Sequence, residues 1–201
     1  MIAEEGDDSV VPYADHLVRL RELTLETGVP ILIGAAELSS LQAIADSHAR
    51  HGHVQEVIVQ NFLPKPGTGM QHEAPCPEDE YLWSIAAARV LLPPEIHLQA
   101  PPNLSDEFGI LLDAGIDDWG GVSPVTLDHV NPERPWPALD TLRTVTEAKG
   151  FALAPRLTIY PEYVRDPERW LHPSLRFPVM DRSDAECLGR DDPGAFWPEK
   201  V

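Results

Sequence analysis

The chain has 201 residues, of which 43% are hydrophobic, which is enough for one domain with a core of its own. Acidic residues outnumber basic ones by 33 to 15, and the formal net charge at pH 7 is −18. A surface of this sign repels phosphate and anionic lipid, so the composition argues against nucleic-acid and membrane partners. No apolar run reaches the roughly 18 residues of a membrane span, and the acidic N-terminus has no signal-peptide features. We therefore expect a cytoplasmic protein.

Helices and strands alternate along the first part of the chain. In order, the pattern predicts a disordered acidic leader (1–12), a helix (13–26), a strand (31–34), a helix from Ser39 or Ser40 to His51, a strand (54–60) and a long loop rich in Pro and Gly (61–77). Gly52 follows the predicted end of the second helix, a position where glycine is common.

The middle of the chain continues this alternation. In order, the pattern predicts a helix (78–92) with Leu82, Ile85, Ala86 and Val90 on its apolar side, a strand (96–100), a helix (108–114), a turn into a short strand or loop (115–119), a helix (136–149) and an extended segment (151–157). From Thr158 onward the chain is rich in Pro and its periodicity is weak.

Alternating strands and helices predict β-α units around a parallel sheet. The chain has neither a G-x-G-x-x-G motif nor a phosphate loop, so a dinucleotide-binding fold has no support. A parallel barrel of the (β/α) TIM type, or part of one, fits better. In such barrels the chemistry lies at the carboxyl ends of the strands, where 60–61, 99–103 and 117–123 would meet.

Three polar segments in the middle of the chain predict a ligand site: QAPPNL (99–104), DDWGGVSPVT (117–126) and HVNPERPWP (129–137). Amide, carboxylate, indole and hydroxyl groups alternate there with Gly and Pro, which let a backbone approach a ligand and hold its shape. The candidate catalytic residues are Asp117 and Asp118. The candidate substrate-binding residues are Gln60, Asn61, Lys65, Gln99, Asn103, Trp119, Ser123, Thr126 and His129.

Each candidate also has a structural interpretation. Asp117 and Asp118 either bind hydroxyls and accept a proton, or cap a turn before a buried Trp119. The amides of Gln99 and Asn103 either pair with a uracil-like edge or satisfy loop backbone.

The remaining polar candidates have the same ambiguity. Ser123 and Thr126 either contact ligand or form a turn around Pro124, and Lys65 is either a ligand contact or a solvated charge. Trp119 and Trp136 either stack on an aromatic substrate or belong to the core. His48, His51 and His53 are read as a helix end rather than a metal site, so no metal residue is predicted.

Several segments, in fixed order, carry a resemblance to one family. They are Ser47-His48, 52–62, 65–68, Met70, 99–104, 114–126, 129–137 and 156–164. Together they resemble the radical S-adenosylmethionine half of FO synthase, which makes the deazaflavin chromophore (7,8-didemethyl-8-hydroxy-5-deazariboflavin) of coenzyme F420. The resemblance implies a (β/α) barrel that joins a tyrosine-derived hydroxybenzyl group to a ribityl-aminouracil.

The same resemblance implies cofactors and partners. The complete family enzyme uses S-adenosylmethionine and a [4Fe-4S] cluster, and Gly34 and Glu37 stand where the family turn lies near the cosubstrate. Ala36 replaces the second Gly of that turn. The implied partners are the hydroxybenzyl-ribityluracil adduct and the radical subunit or domain that forms this adduct.

The chain departs from the family in its cysteines. The cluster is held by a Cys-x3-Cys-x2-Cys loop, whereas this chain has only Cys76 and Cys187. We therefore expect the later part of a truncated radical enzyme, with a partial barrel over 13–164 and a Pro-rich extension over 165–201, inactive by itself. The alternative is a non-catalytic remnant or a substrate-binding module.

Overall fold

A computed structural model describes residues 32–33, 38–123 and 126–190 of the chain. It divides after Lys149 into two compact units. The predicted leader over 1–12 and helix over 13–26 lie outside the described residues, as do Gly34, Glu37 and Pro124.

The first unit is an α/β structure around a parallel sheet, as predicted. Its first five elements are strand β1 (Leu32–Ile33), helix α1 (Leu38–His51), strand β2 (Glu56–Val59), helix α2 (Glu78–Leu91) and strand β3 (His97–Gln99). The strands lie in the order β1-β2-β3, both pairs parallel. Neighbouring parallel strands in sequential order are what successive β-α units produce.

The register of the sheet separates an apolar face from a polar one. Val57, Val59 and Leu98 are buried, whereas Glu56 and Ile58 on the alternate positions are half-buried. Glu56 pairs with His97 and Ile58 with Gln99, so these residues share the second face. Helix α2 contacts both α1 and the following helix α3 (Ile110–Ala114), which places the helices in series against the apolar face.

Two further elements complete the first unit. A 3-10 turn (Pro102–Leu104) follows β3, and helix α4 (Leu139–Ala148) ends the unit. After α3, Gly115 adopts φ 112°, and the chain returns along β3 so that Asp118 forms a parallel bridge with Gln99. Glycine is suited to that left-handed turn, because other residues rarely adopt a positive φ.

The predicted apolar side of α2 was right at Ile85, where the residue is buried, and wrong at Ala86 and Val90, which are exposed, while Leu82 is half-buried. The structure buries Tyr81, Ser84, Ile85 and Ala88, and leaves Val90 82% exposed. Polar groups on the buried side have partners: the Tyr81 hydroxyl donates to the Val59 carbonyl (3.0 Å) and the Ser84 hydroxyl to the Glu80 carbonyl (2.8 Å). A satisfied hydroxyl can be buried at little cost, so apolar spacing alone misidentified the face.

Helix α4 begins at Leu139 rather than at Trp136. Trp136 precedes Pro137, and a residue before proline is driven out of the helical region. Ala138 is itself extended, with ψ 143°.

The second unit contains three short helices where the sequence predicted only weak periodicity. They are α5 (Pro161–Val164), α6 (Pro167–Trp170) and α7 (Pro173–Asp181). Each begins with a proline, which suits the first helical position. The rings of Tyr163 and Trp170 pack edge to face with centroids 4.9 Å apart.

This unit begins at Gly150, whereas the sequence predicted a boundary after Val164. Within this unit Tyr160, Tyr163, Val164 and Leu171 are buried. Among the helices that the structure describes, none combines the length and apolarity needed to cross a membrane.

Candidate functional site

Polar residues follow two neighbouring strands at the same edge of the sheet. Gln60 and Asn61 come directly after β2, and the 3-10 turn that contains Asn103 comes shortly after β3. Because the strands are parallel, these segments lie at one carboxyl edge. The Asn61 amide N–H donates to the carbonyl of Leu104 (3.4 Å), which links the two loops.

Asn103 is buried at this edge, as are Gln99 and Asn131. It is 7% exposed, and its amide nitrogen donates to Asp128 Oδ2 (2.9 Å) and to the Arg134 carbonyl (3.0 Å). The loop over 128–134 is thereby held against the turn that follows β3. The exposed ion pair between Arg134 and Asp106 (2.6 Å) joins the same two segments.

Asp128 organises this loop, and the sequence analysis did not single it out. Its Oδ1 accepts from the backbone N–H groups of Val130 (2.8 Å) and Asn131 (3.1 Å), and its Oδ2 accepts from the amides of Asn131 (2.9 Å) and Asn103. Burial raises the pKa of Asp128, but the hydrogen bonds from Asn131 and Asn103 outweigh it and lower the pKa below the usual value. The signal was the Asp-x-x-Asn spacing, which is typical of a side chain that closes its own turn.

Two amide oxygens at this edge are buried without a hydrogen-bond donor. They are Oδ1 of Asn61 and Oδ1 of Asn103. An unsatisfied buried acceptor costs about 1–3 kcal/mol, so such a group is typical of a site that something else completes. Binding of a ligand by these two amides stays a prediction. Both amides lie at the carboxyl edge of the strands, which is the location that the sequence predicted for them.

A second polar group lies on the sheet face opposite the apolar one. The Gln99 amide donates to Glu56, and Asp118 bridges to Gln99 through the backbone. Asp118 Oδ1 accepts from the Gly120 N–H (2.5 Å). Glu56 was missed by the sequence analysis, although a charged residue at the start of an apolar strand was a signal for a polar inner face.

Glycine at position 120 is needed for this arrangement. Gly120 has φ 79°, and a Cβ there would lie 3.0 Å from Oε1 of Gln99. The backbone therefore approaches the Gln99 amide more closely than a larger residue would permit.

Asp117 points away from this group. Its carboxylate accepts from the Leu98 N–H (2.6 Å) and pairs with Arg89 (2.9 Å) and with His97 Nδ1 (2.8 Å). Burial raises the pKa of Asp117, but these hydrogen bonds and the Arg89 charge more than offset it, so the pKa is lowered. These contacts tie β3 to α2 and differ from the turn cap that the sequence offered as the structural role of Asp117; a catalytic role stays a prediction.

Trp119 lies in the core, 6% exposed. Its indole N–H donates to Thr146 Oγ1 (3.0 Å), and its ring packs edge to face on Phe108 with centroids 5.6 Å apart. Of the two predicted roles, the core role describes these contacts.

Ser123, Thr126 and Trp136 line one open cavity of about 540 Å³. Ser123 Oγ accepts from the Thr126 N–H (3.1 Å), which is the turn contact that the sequence allowed as an alternative. The cavity brings together residues that the sequence predicted separately, and their ligand contacts stay predictions.

The other candidates are more peripheral. Lys65 forms an ion pair with Glu133, and its side chain is 26% exposed. Gln60 is half-buried and His129 is exposed. Gly34 and Glu37 are outside the described residues, so their predicted contact with the cosubstrate stays a prediction.

The residues present do not fit an iron–sulfur cluster. The chain has two cysteines, one in each unit, and neither belongs to a Cys-x3-Cys-x2-Cys motif. In 32–33, 38–123 and 126–190, the structure gathers no three His, Cys, Asp or Glu side chains in a metal-binding group.

Fold and site together define an α/β protein with a parallel sheet and a polar site at the carboxyl edge of its strands. The comparisons give a family. The FO synthase of Nocardia farcinica is 48% identical over 197 residues, which cover 88% of this chain and 23% of that protein. The FO synthase of Mycobacterium tuberculosis is 46% identical over 194 residues, covering 90% of this chain and 23% of that protein.

An archaeal protein is related to a similar degree. The 7,8-didemethyl-8-hydroxy-5-deazariboflavin synthase of Methanopyrus kandleri is 47% identical over 186 residues, covering 90% of this chain and 53% of that protein. The chain is therefore homologous to a segment of the FO synthases, as its ordered motifs predicted. It spans about a quarter of the two bacterial relatives and about half of the archaeal one. No protein-family model and no solved structure matches the chain.

Proposed function

We propose that the chain carries the substrate-binding part of an FO synthase. In this proposal it holds the adduct of a tyrosine-derived hydroxybenzyl group and 5-amino-6-ribitylaminouracil during formation of the deazaflavin ring. The observation that carries the proposal is the kinship to FO synthases at 46–48% identity over about nine-tenths of the chain.

The architecture supports this function as part of a radical S-adenosylmethionine (β/α) barrel. Three parallel strands in sequential order, with helices in series on the apolar face, correspond to one wall of such a barrel. The polar face of that wall, with Glu56, Gln99 and Asp118, would then line the interior. A substrate in the barrel would meet this face and the loops at its carboxyl edge.

The side chains of this wall suit a ligand rich in polar groups. The amides of Asn61 and Asn103 bind pyrimidine or ribityl groups, and Gln99 is held in place by Glu56. Asp118 binds a ribityl hydroxyl or accepts the proton that leaves on ring closure. The open cavity beside Trp136 offers an aromatic wall to the hydroxybenzyl ring.

We derive no step through the cluster, because this chain does not supply its three thiolates. A [4Fe-4S] cluster with S-adenosylmethionine supplies the radical chemistry in the complete family enzyme. In the proposal those groups belong to a separate cluster-bearing part of an FO synthase, which is the partner the chain requires for turnover.

The proposal is tested by combining the full chain with the cluster-bearing segment of an FO synthase in anaerobic solution. We expect deazaflavin fluorescence from the adduct in the mixture and none from either component alone. A mixture that stays dark with a fully loaded cluster contradicts the catalytic proposal.

The second candidate function, a substrate-binding module without catalysis, is separated from the first by calorimetry. It is favoured by the two cysteines, which leave the chain without cluster ligands of its own. Heat of binding with the adduct but no fluorescence in the mixture identifies this function. Absence of any heat contradicts both functions.

A further inference from the structure

The amide of Asn103 has one orientation. Its Nδ2 faces Asp128 Oδ2 at 2.9 Å and the Arg134 carbonyl at 3.0 Å. A carbonyl and an ionised carboxylate only accept hydrogen bonds, so a rotated amide would place oxygen against two oxygens. Oδ1 of Asn103 must therefore point the other way, where the described residues provide no donor.

Asn61 has the same arrangement at the end of the neighbouring strand. Its amide nitrogen faces the Leu104 carbonyl at 3.4 Å, and its Oδ1 is buried without a donor. Asn103 thus uses both of its amide hydrogens on the loop and Asn61 uses one, while neither carbonyl oxygen has a donor among the described residues. These two carbonyl oxygens are the acceptors that the edge offers to a ligand.

Asp128 orients the Asn103 amide, and its two oxygens have different partners. Oδ1 holds the turn through the N–H groups of Val130 and Asn131, while Oδ2 receives the side-chain amides of Asn131 and Asn103. In Asp128→Asn an N–H group in place of Oδ2 would face the Asn103 N–H groups, donor against donor, so the amide would keep only the Arg134 carbonyl as acceptor while Oδ1 still closes the turn.

We propose that Asn103 is a specificity-determining residue of this edge, with Asp128 as its positioning residue, and that the ligand must donate an N–H or O–H group to the Asn103 carbonyl. The inference rests on the proposed function, because the adduct offers both kinds of donor: the ring N–H of its pyrimidine and the hydroxyls of its ribityl chain. The 128–134 loop beside Asn103 also carries the ion pairs Lys65–Glu133 and Arg134–Asp106, which are exposed and contribute little to its stability.

Calorimetry with the full chain and three ligands tests the inference. The ligands are 5-amino-6-ribitylaminouracil, its analogue methylated at both ring N–H groups, and its analogue with a deoxygenated ribityl chain. In the unmodified chain, we expect removal of the correct donor to weaken binding about tenfold, or about 1.4 kcal/mol. The two analogues identify which donor Asn103 receives.

The variants then assign the effect to residues. Asn103→Ala should bind all three ligands with equal affinity, and Asp128→Asn should lose most of the discrimination while keeping its turn. Asp106→Asn is the matched control, because it makes the same charge change beside the same loop and should keep the discrimination.

The ratio of affinities separates this role from a structural one. If Asp128→Asn weakened all ligands alike and kept the ratio, Asp128 would only stabilise the loop and the positioning role would be overturned. Discrimination that persists in Asn103→Ala overturns the inference while leaving the proposed function standing. Failure of the unmodified chain to bind any of the three ligands overturns the inference, and the proposed function is tested separately by calorimetry with the adduct itself.

Discussion

Trp119 is an aromatic residue between a carboxylate and two glycines, a setting that resembles a ligand site in the sequence. In the structure its indole N–H is used by Thr146, whose hydroxyl in turn donates to the Leu142 carbonyl (2.7 Å). A buried indole usually finds such a partner, and the hydrogen bond ties α4 to the segment after α3.

Trp119→Phe should therefore destabilise the chain without affecting ligand binding. The ring keeps its contact with Phe108 but loses the hydrogen bond, which is worth about 0.5–1.5 kcal/mol. Urea unfolding measures this difference, and calorimetry with the adduct measures binding. A loss of affinity at unchanged stability would instead restore the predicted stacking role.

Asp117 makes the free energy of unfolding depend on pH in the acid range. Its folded pKa is lowered, so the folded chain releases this proton more readily than the unfolded chain does. The stabilisation is present above the unfolded Asp pKa of about 3.9 and is lost as the pH falls through the lower folded pKa.

Asp117→Asn should cost about 1 kcal/mol at neutral pH, at the low end for a charged hydrogen bond because the carboxylate is 40% exposed. The difference in unfolding free energy between the two proteins should shrink below about pH 4, because the protonated Asp117 then resembles the amide. Urea unfolding at a series of pH values measures it. A difference that stays constant down to acid pH would show that charge is not the cause.

At the scale of elements, the segment that returns along β3 after α3 depends on a close approach between the Gly120 backbone and the Gln99 side chain. Gly120 lies under Gln99 with a positive φ, and Asp118 accepts its N–H. The geometry of Gln99 therefore depends on a residue that contributes no side chain.

Gly120→Ala should strain the backbone and also displace the Gln99 amide, because the new methyl group would lie 3.0 Å from Oε1. Gly150→Ala is the matched control: its φ is 83°, and a Cβ there meets nothing within 4 Å. We expect both variants to lose about 1 kcal/mol of stability. Only Gly120→Ala should weaken binding of the adduct, measured by calorimetry, and equal binding by both would remove Gln99 from the site.

Strand positions were predictable from the sequence, and helix faces less so. Segment 54–60 is rich in β-branched residues and segment 96–100 alternates apolar and polar residues, and they contain β2 and β3. The face of α2 was not predictable, because burial of Tyr81 depends on the Val59 carbonyl, which only the fold supplies, whereas Ser84 donates to the Glu80 carbonyl of its own helix.

In the second unit, proline residues mark the starts of helices that show no apolar repeat. Pro161, Pro167 and Pro173 each begin a helix, but two of these helices have four residues, too few for an apolar repeat to appear. Proline at a helix start was the available signal.

The candidate site was predictable as a place rather than as a set of contacts. Parallel strands imply that 60–61 and 99–103 meet at one edge, and the structure places them there. Which oxygen of Asp128 serves the turn and which serves Asn103 depends on the path of the 128–134 loop. Side-chain direction also separated Asp117 from Asp118, which the sequence treated as a pair.

At the scale of the whole molecule, the charge of the chain opposes compactness. With 33 acidic and 15 basic residues the net charge is −18 at pH 7, and such self-repulsion destabilises a folded state. The exposed ion pairs, such as Arg176–Glu168 and Arg134–Asp106, contribute too little to reverse this effect.

Salt should therefore stabilise the chain at neutral pH. Raising NaCl from roughly 0.05 M to about 1 M shortens the screening length to about 3 Å, so the repulsion weakens and Tm should rise. At pH 4.6, near the isoelectric point, net repulsion is absent and the same salt step should change Tm little. Below about pH 4 stability should fall in any salt, since Asp117 and Asp128 become protonated there and lose their charged hydrogen bonds. Thermal melts over this grid of salt and pH measure the two effects separately. An equal rise in Tm at pH 7 and at pH 4.6 would assign the salt effect to general exclusion of salt from apolar surface rather than to charge.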